Sequence, residues 1–300
     1  MKKFTIGLLI TFALLIPFGA ATLSDFYNKI TGKPISEEVQ LEINVSGGHA
    51  PTITVYETLM TDVSGGLNEG PLTTDITIKF EADDLEGIGN INDSSARIQF
   101  TKSGEDTRSA ICTKVGAESS GTSTNYTCTV TMQFWDGAGT WIINASILDL
   151  NGNYAEDTSK TFAVGSTAGF VIYPTSVVWS EINPGATNQP ALNSVTLNNT
   201  GNIQRNVEVN STNLLGETDN TKSLLANDFS IDINSGCAGT GMNRFTFVQI
   251  VGATLPKGNY LLNDGTGQEI VYFCLNQASS DLTQQIYSTQ GEGAWTVRIA

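Results

Sequence analysis

Histidine is almost missing from this chain: His49 is the only one in 300 residues. A Ser-His-Asp hydrolase would depend wholly on that imidazole, which stands beside Gly47-Gly48 in an expected loop, and no Gly-x-Ser-x-Gly turn accompanies it. His49 is therefore read as an ordinary surface residue. Basic side chains are also scarce, 15 against 30 acidic, giving a formal charge of −15. Nucleic acid is excluded as a partner, because phosphate binding needs clustered Lys and Arg. No Gly-x-x-x-x-Gly-Lys-Ser/Thr phosphate loop occurs, and Asp264-Gly265-Thr266 has the wrong order for an aspartic-protease motif. No apolar run of membrane-spanning length follows residue 24.

What is present begins with Lys2-Lys3 and an uncharged run from Phe4 to Ser24, a basic n-region followed by an apolar h-region. Gly19 and Ala21 suit the −3 and −1 positions of a cleavage site, which would leave Thr22 as the first residue. The same run is about as long as the roughly 20 residues a spanning helix needs, so retention as an anchor stays open. Pro17 disfavours one straight helix, since it lacks an amide donor. In both cases residues 1–24 are an export or anchor segment, and the chain beyond them is expected outside the membrane. With no apolar tail after Trp295–Ile299, retention at the cell is expected to come from the N-terminus or from association.

Four cysteines, Cys112, Cys128, Cys237 and Cys274, fall two on either side of a break near residue 165, with no Cys-x-x-Cys among them. An even count in an exported chain predicts structural disulfides. Cys112 to Cys128 would close a loop worth roughly 3 kcal/mol on the chain-entropy model, and Cys237 to Cys274 one nearer to about 4. Asn-x-Ser/Thr acceptors stand at Asn44, Asn92, Asn125, Asn144, Asn198 and Asn210 and together argue for a glycosylated surface.

Residues 25–41 are polar and interrupted by Gly32 and Pro34, as in a linker. Beyond them the pattern has period two. Ile76, Ile78, Phe80 and Ala82 alternate with polar residues, as do Tyr126, Cys128, Val130, Met132 and Phe134, and then Trp141, Ile143, Ala145 and Ile147. Asp149-Leu150-Asn151-Gly152-Asn153 reads as a hairpin turn and Gly165-Ser166-Thr167-Ala168-Gly169 as a short linker. The second half continues through Val195 and Leu197, a turn at Asn198–Asn202, then Val207 and Val209, with further strands expected near 229–233, 245–250, 271–274 and 295–299. Only Asn213–Asn227 suggests a helical turn. The expected architecture is all-β: two antiparallel immunoglobulin-like sandwiches over 42–165 and 170–300.

Trp141 through Ala155, with Asp149, Gly152, Asn153 and Ala155 in an Asp-x-x-Gly-Asn-x-Ala turn, resembles the last hairpin of Ig-like modules in bacterial and archaeal surface proteins. Leu197–Asn202 after Asn183-Pro184-Gly185 is similar to β-sandwich modules of archaeal envelope proteins. The resemblance implies location and fold and carries no reaction.

Calcium is the most specific ligand the residues suggest, through oxygen donors at Asp83, Asp84 and Glu86 and at Asp149, Asn151 and Asn153. Neither group is an EF-hand, since Lys160 stands where a loop opened by Asp149 needs Glu, and a solvated loop and a hairpin turn are the preferred reading. Trp135, Trp141, Trp179, Trp295, Tyr126 and Tyr173 would suit a sugar platform, but several lie in alternating strands whose inward face should hold them, so core packing is the preferred reading. The first expectation is thus a non-catalytic structural or adhesive envelope protein, with cell-envelope proteins or polysaccharides as partners and the membrane reached through an uncleaved N-terminal helix. A carbohydrate- or protein-binding module comes second. A secreted hydrolase comes last, since it would need a cleft with converging carboxylates, a pair that leaves no signature in sequence.

Overall fold

Alternation of apolar and polar residues dictates the first half. A computed structural model describes residues 48–56 and 63–300; the expected export segment 1–24, the linker 25–41 and Asn44 lie outside the described residues. The strands are β1 (Thr52–Val55), β2 (Thr73–Asp83), β3 (Ile91–Thr101), β4 (Arg108–Ile111), β5 (Thr113–Ser120), β6 (Ser123–Gln133), β7 (Gly139–Asp149) and β8 (Tyr154–Val164). They pair antiparallel in two four-stranded sheets, ordered β1-β2-β6-β5 and β4-β3-β7-β8. Every second residue of β2, from Ile76 to Ala82, is fully buried, because successive side chains leave a strand on opposite faces. Phe80 and Tyr126 from one sheet and Ile98, Phe100 and Trp141 from the other meet in a single core, each large side chain worth about 1.5–3 kcal/mol of apolar burial. Cys112 stands between β4 and β5, where the chain passes from one sheet to the other, and its disulfide to Cys128 on β6 pins that crossing.

Shorter strands build the second half: β9 (Phe170–Tyr173), β10 (Thr187–Pro190), β11 (Val195–Asn199), β12 (Arg205–Asn210), β13 (Leu214–Gly216), β14 (Ser223–Leu224), β15 (Phe229–Asp232), β16 (Thr240–Gly241), β17 (Phe247–Leu255), β18 (Gln268–Gln277), β19 (Tyr287–Ser288) and β20 (Thr296–Ile299). One sheet runs β16-β15-β18-β11-β9 with β10 also on β18, and smaller sheets run β17-β12-β20 and β14-β13-β19. Leu197, Val207, Val209, Phe229, Ile231 and Val271 lie in its own core. A disulfide joins Cys237, in the loop after β15, to Cys274 on β18. Where a helical turn was expected at Asn213–Asn227, the chain pairs β13 with β14 and then makes one short 3-10 turn at Ala226–Asp228. Gly47–Ala300 is one compact unit, and among the described residues no helix is long and apolar enough to cross a membrane.

Candidate functional site

Strand direction puts the two acid- and amide-rich loops side by side. β2 and β7 end, and β3 and β8 begin, at the same end of the first pair of sheets. There Leu150 N–H donates to Asn90 O at 2.7 Å, and Asn151 Nδ2 donates to Asn90 Oδ1 at 3.3 Å. Asp84 is fully buried and accepts Glu86 N–H at 2.8 Å and Asn90 Nδ2 at 3.1 Å. Asp149 accepts the N–H groups of Asn151 and Asn153 at 2.9 and 2.7 Å and Asn153 Nδ2 at 2.7 Å. The incoming chain is held by the same groups, since Asn153 Nδ2 donates to Gly48 O at 3.1 Å and both the backbone N–H and the ring of His49 meet Glu86 Oε1.

Charge states follow from these contacts. Burial pushes the Asp84 carboxyl above its ordinary range. The hydrogen bond between His49 and Glu86 raises the imidazole and lowers the carboxyl. Burial also works against ionised Asp149, but the donors from Asn153 and Asn151 outweigh it and hold that group low. Asp83 lies on β2 among the outward-facing positions, apart from Asp84, with its Oδ1 buried and unpartnered. The N–H groups that Asp84 and Asp149 accept take up part of their acceptor capacity and, with the bonds to Asn90, tie the two loops into a hydrogen-bonded clasp. Among the described residues, no three His, Cys, Asp or Glu side chains converge as metal ligands.

The opposite end of the first half carries the joint to the second. Its composition, Gly165 to Gly169, suggests a flexible linker, yet its polar groups have fixed partners. Gly165 N–H donates to Val63 O at 2.9 Å, Thr167 Oγ1 to Leu67 O at 3.0 Å and Gly70 N–H to Thr200 O at 2.8 Å. Asn202, 1% exposed, accepts Thr167 N–H on Oδ1 at 2.7 Å, donates its backbone N–H to Thr167 O at 3.0 Å and gives Nδ2 to Gly165 O at 2.9 Å. Asn199, equally buried, donates Nδ2 to Ile203 O and Pro256 O. The turn read at Asn198–Asn202 is therefore the core of the joint. Gly201 is required by close approach: a Cβ there would collide with the carbonyl of Thr167.

An ion cluster flanks the joint. Glu105, 8% exposed at its side chain, accepts Lys257 Nζ at 2.7 Å on both oxygens, Lys102 Nζ at 3.3 Å and Gly137 N–H at 3.2 Å. Burial raises the Glu105 carboxyl, but the bonds from Lys257 and Gly137 and the charge of Lys257 outweigh it and leave the pKa lowered. A lowered folded-state pKa adds stability that is complete above the unfolded value, about 4.3, and is lost as pH falls through the folded one. Lys257→Met is accordingly expected to destabilise the protein at neutral pH, with the gap from wild type closing in acid. Urea titrations of both proteins across that range measure it, and a gap independent of pH would refute the assignment.

The aromatic residues divide. Trp141 and Tyr126 are fully buried, and Tyr173 is 76% exposed, against the expectation of core packing, because β9 turns Phe170 and Ile172 inward and Val171 and Tyr173 outward. Trp135 is half-buried, stacked edge-on against Phe134. Trp179 and Trp295 pack edge-on against Phe229 at 5.5 and 5.3 Å and help line a cavity of about 1000 Å³, which sequence reasoning missed. Its walls carry one carboxylate, Glu181, so a two-carboxylate mechanism has no second acid there. A shallower depression between β1 and β8 holds Glu156 and Asp157, and Asp157 is occupied by the N–H groups of Val55 and Ser159.

All five described sequon asparagines are half-buried. Asn92 Oδ1 accepts the Ser94 hydroxyl at 2.7 Å, and Asn125 Oδ1 accepts the Tyr56 hydroxyl at 3.0 Å. Asn144 and Asn210 have buried, unpartnered Oδ1 atoms; Asn198 Oδ1 accepts Gln268 Nε2, and Thr200 and Thr212, the third residues of the Asn198 and Asn210 sequons, are buried. Compared with protein-family models and with curated proteins, the chain matches none.

Proposed function

We propose that this chain is a non-catalytic, extracellular spacer of the cell envelope, made of two immunoglobulin-like domains over 42–165 and 170–300 that are fixed to each other. The order β1-β2-β6-β5 opposite β4-β3-β7-β8 supports the Ig-like reading, being the A-B-E-D and C′-C-F-G arrangement of such sandwiches. Two disulfides and the absence of any free cysteine among the described residues support an oxidising compartment. The observation that carries the reading is the joint. Buried Thr200 and Asn202 bind the backbone of Gly70, Gly165 and Thr167, while buried Asn199 braces the same turn against Ile203 and Pro256 of the second half, which a spacer needs if it is to hold its far end at a fixed distance. Export through residues 1–24, glycans on the sequons and envelope proteins or polysaccharides as partners belong to the same proposal, with calcium outside it.

The joint is testable directly. Small-angle scattering of the wild-type protein is expected to fit one rigid particle. Gly201→Val, which drives a side chain into the Thr167 carbonyl, is expected to broaden the distribution of shapes and cost about 1–3 kcal/mol. A wild type that already samples many inter-domain angles would sink the spacer reading.

A further inference from the structure

The cavity beside Trp179 and Trp295 has a defined place in the fold. β9, β12 and β18 run away from the joint, so the segments that follow them, together with Trp295 before β20, gather at the far end of the second half. Ile172 of β9 and Val297 of β20 both line the cavity. Among the described residues each of these strands has one partner in its sheet, β11 for β9 and β12 for β20, so the cavity lies between edge strands of two different sheets. Its inner wall is Phe229, Phe273 and the two tryptophans, and no Lys or Arg contributes to it. An apolar interior bounded by unpaired strand edges suits an added β-strand with one apolar face.

The sequence contains a segment with that pattern. Val39, Leu41, Ile43 and Val45 alternate strictly with Gln40, Glu42, Asn44 and Ser46. Gly48, two residues after this stretch, sits in the clasp at the opposite end of the described unit, across the 11-residue strands of the first half. Eight extended residues reach only about 26 Å, less than the roughly 36 Å of one 11-residue strand. Chain connectivity therefore favours the cavity of another molecule.

We infer that residues 39–46 of one copy insert as a β-strand into the far-end cavity of the next, joining molecules head to tail. The two surfaces differ, so the contact is heterologous and propagates into open chains unless the rotation closes a ring. This goes beyond the spacer reading, because assembly can fail while the joint stays rigid.

Two variants of the full chain test it: Leu41→Asp with Ile43→Asp to spoil the strand, and Ala294→Trp to fill the cavity. Circular dichroism and melting curves first establish that each folds. Light scattering is expected to show wild-type mass growing with concentration and association weakened roughly tenfold to a hundredfold in each variant alone. Mixed together, the variants are expected to form a one-to-one pair and stop, since one keeps an open cavity and the other an intact strand. Should a variant misfold, a synthetic peptide of residues 39–46 is expected to break wild-type assemblies, while a scrambled one does not. A wild type monomeric at every concentration, assembly indifferent to both variants and the peptide, or a small apolar molecule retained in the cavity in native mass spectra would overturn the inference.

Discussion

Arg108→Ala is expected to destabilise the first half by about 3–5 kcal/mol, more than loss of any surface ion pair, because it strands a buried carboxylate. Arg108 opens β4, and Asp136 lies in the turn after β6 with 1% of its surface exposed. The guanidinium donates through Nε to Asp136 Oδ2 at 2.9 Å and through Nη2 to Oδ1, and Asp136 Oδ2 also accepts Gln133 N–H at 2.7 Å. Hydrogen bonding to Asp136 raises the Arg108 pKa against the opposing effect of burial, so the cation is fixed across the working pH range. Arg108→Lys keeps the charge but loses the planar fork and is expected to recover only part of the stability. Replacing both partners, as Arg108→Met with Asp136→Leu, is expected to cost less than Arg108→Ala alone. Urea denaturation gives all three, and an alanine variant within about 1 kcal/mol of wild type would mean the pair behaves like an exposed one.

Neither residue could be linked from sequence, since Arg108 and Asp136 are 28 positions apart and no local pattern joins them. The same limit explains the joint. Gly165-Ser166-Thr167-Ala168-Gly169 has the composition of a flexible segment, and its order comes entirely from partners around residues 63–70 and 199–202. Strands with strict alternation were readable because period two encodes which face is buried, as in β2, β6 and β7. The two acid-rich loops were also readable one by one. That they meet was not, nor that Asn90 bridges them, because proximity is a property of strand direction in the assembled sheets. The cavity was missed for a related reason: Val177, Trp179 and Ile182 carry no strand period and become its wall only when residues 174–186 fold over the second core.

Replacing Cys237 and Cys274 together by serine is expected to cost about 4 kcal/mol, because the bond closes 37 residues of chain and removes that loop's freedom from the unfolded state. The loop carrying Cys237 has few other ties: β16 contributes two residues, and the bridge fixes this loop to β18, the strand that pairs with β15, β11 and β10. Where the loss appears distinguishes a coupled rod from two independent domains. If Thr200, Asn202 and the Glu105–Lys257 contact couple the halves, removing a bond wholly within the second half lowers one shared melting transition, and fluorescence of Trp141 in the first core moves with it. If the joint is weak, the second half melts early while Trp141 reports an unchanged first half. The same variant with Gly201→Val should convert the first behaviour into the second, since both substitutions act on the second half but only Gly201→Val attacks the joint. A single transition that survives both changes would place the coupling elsewhere than in the buried loop at 199–202.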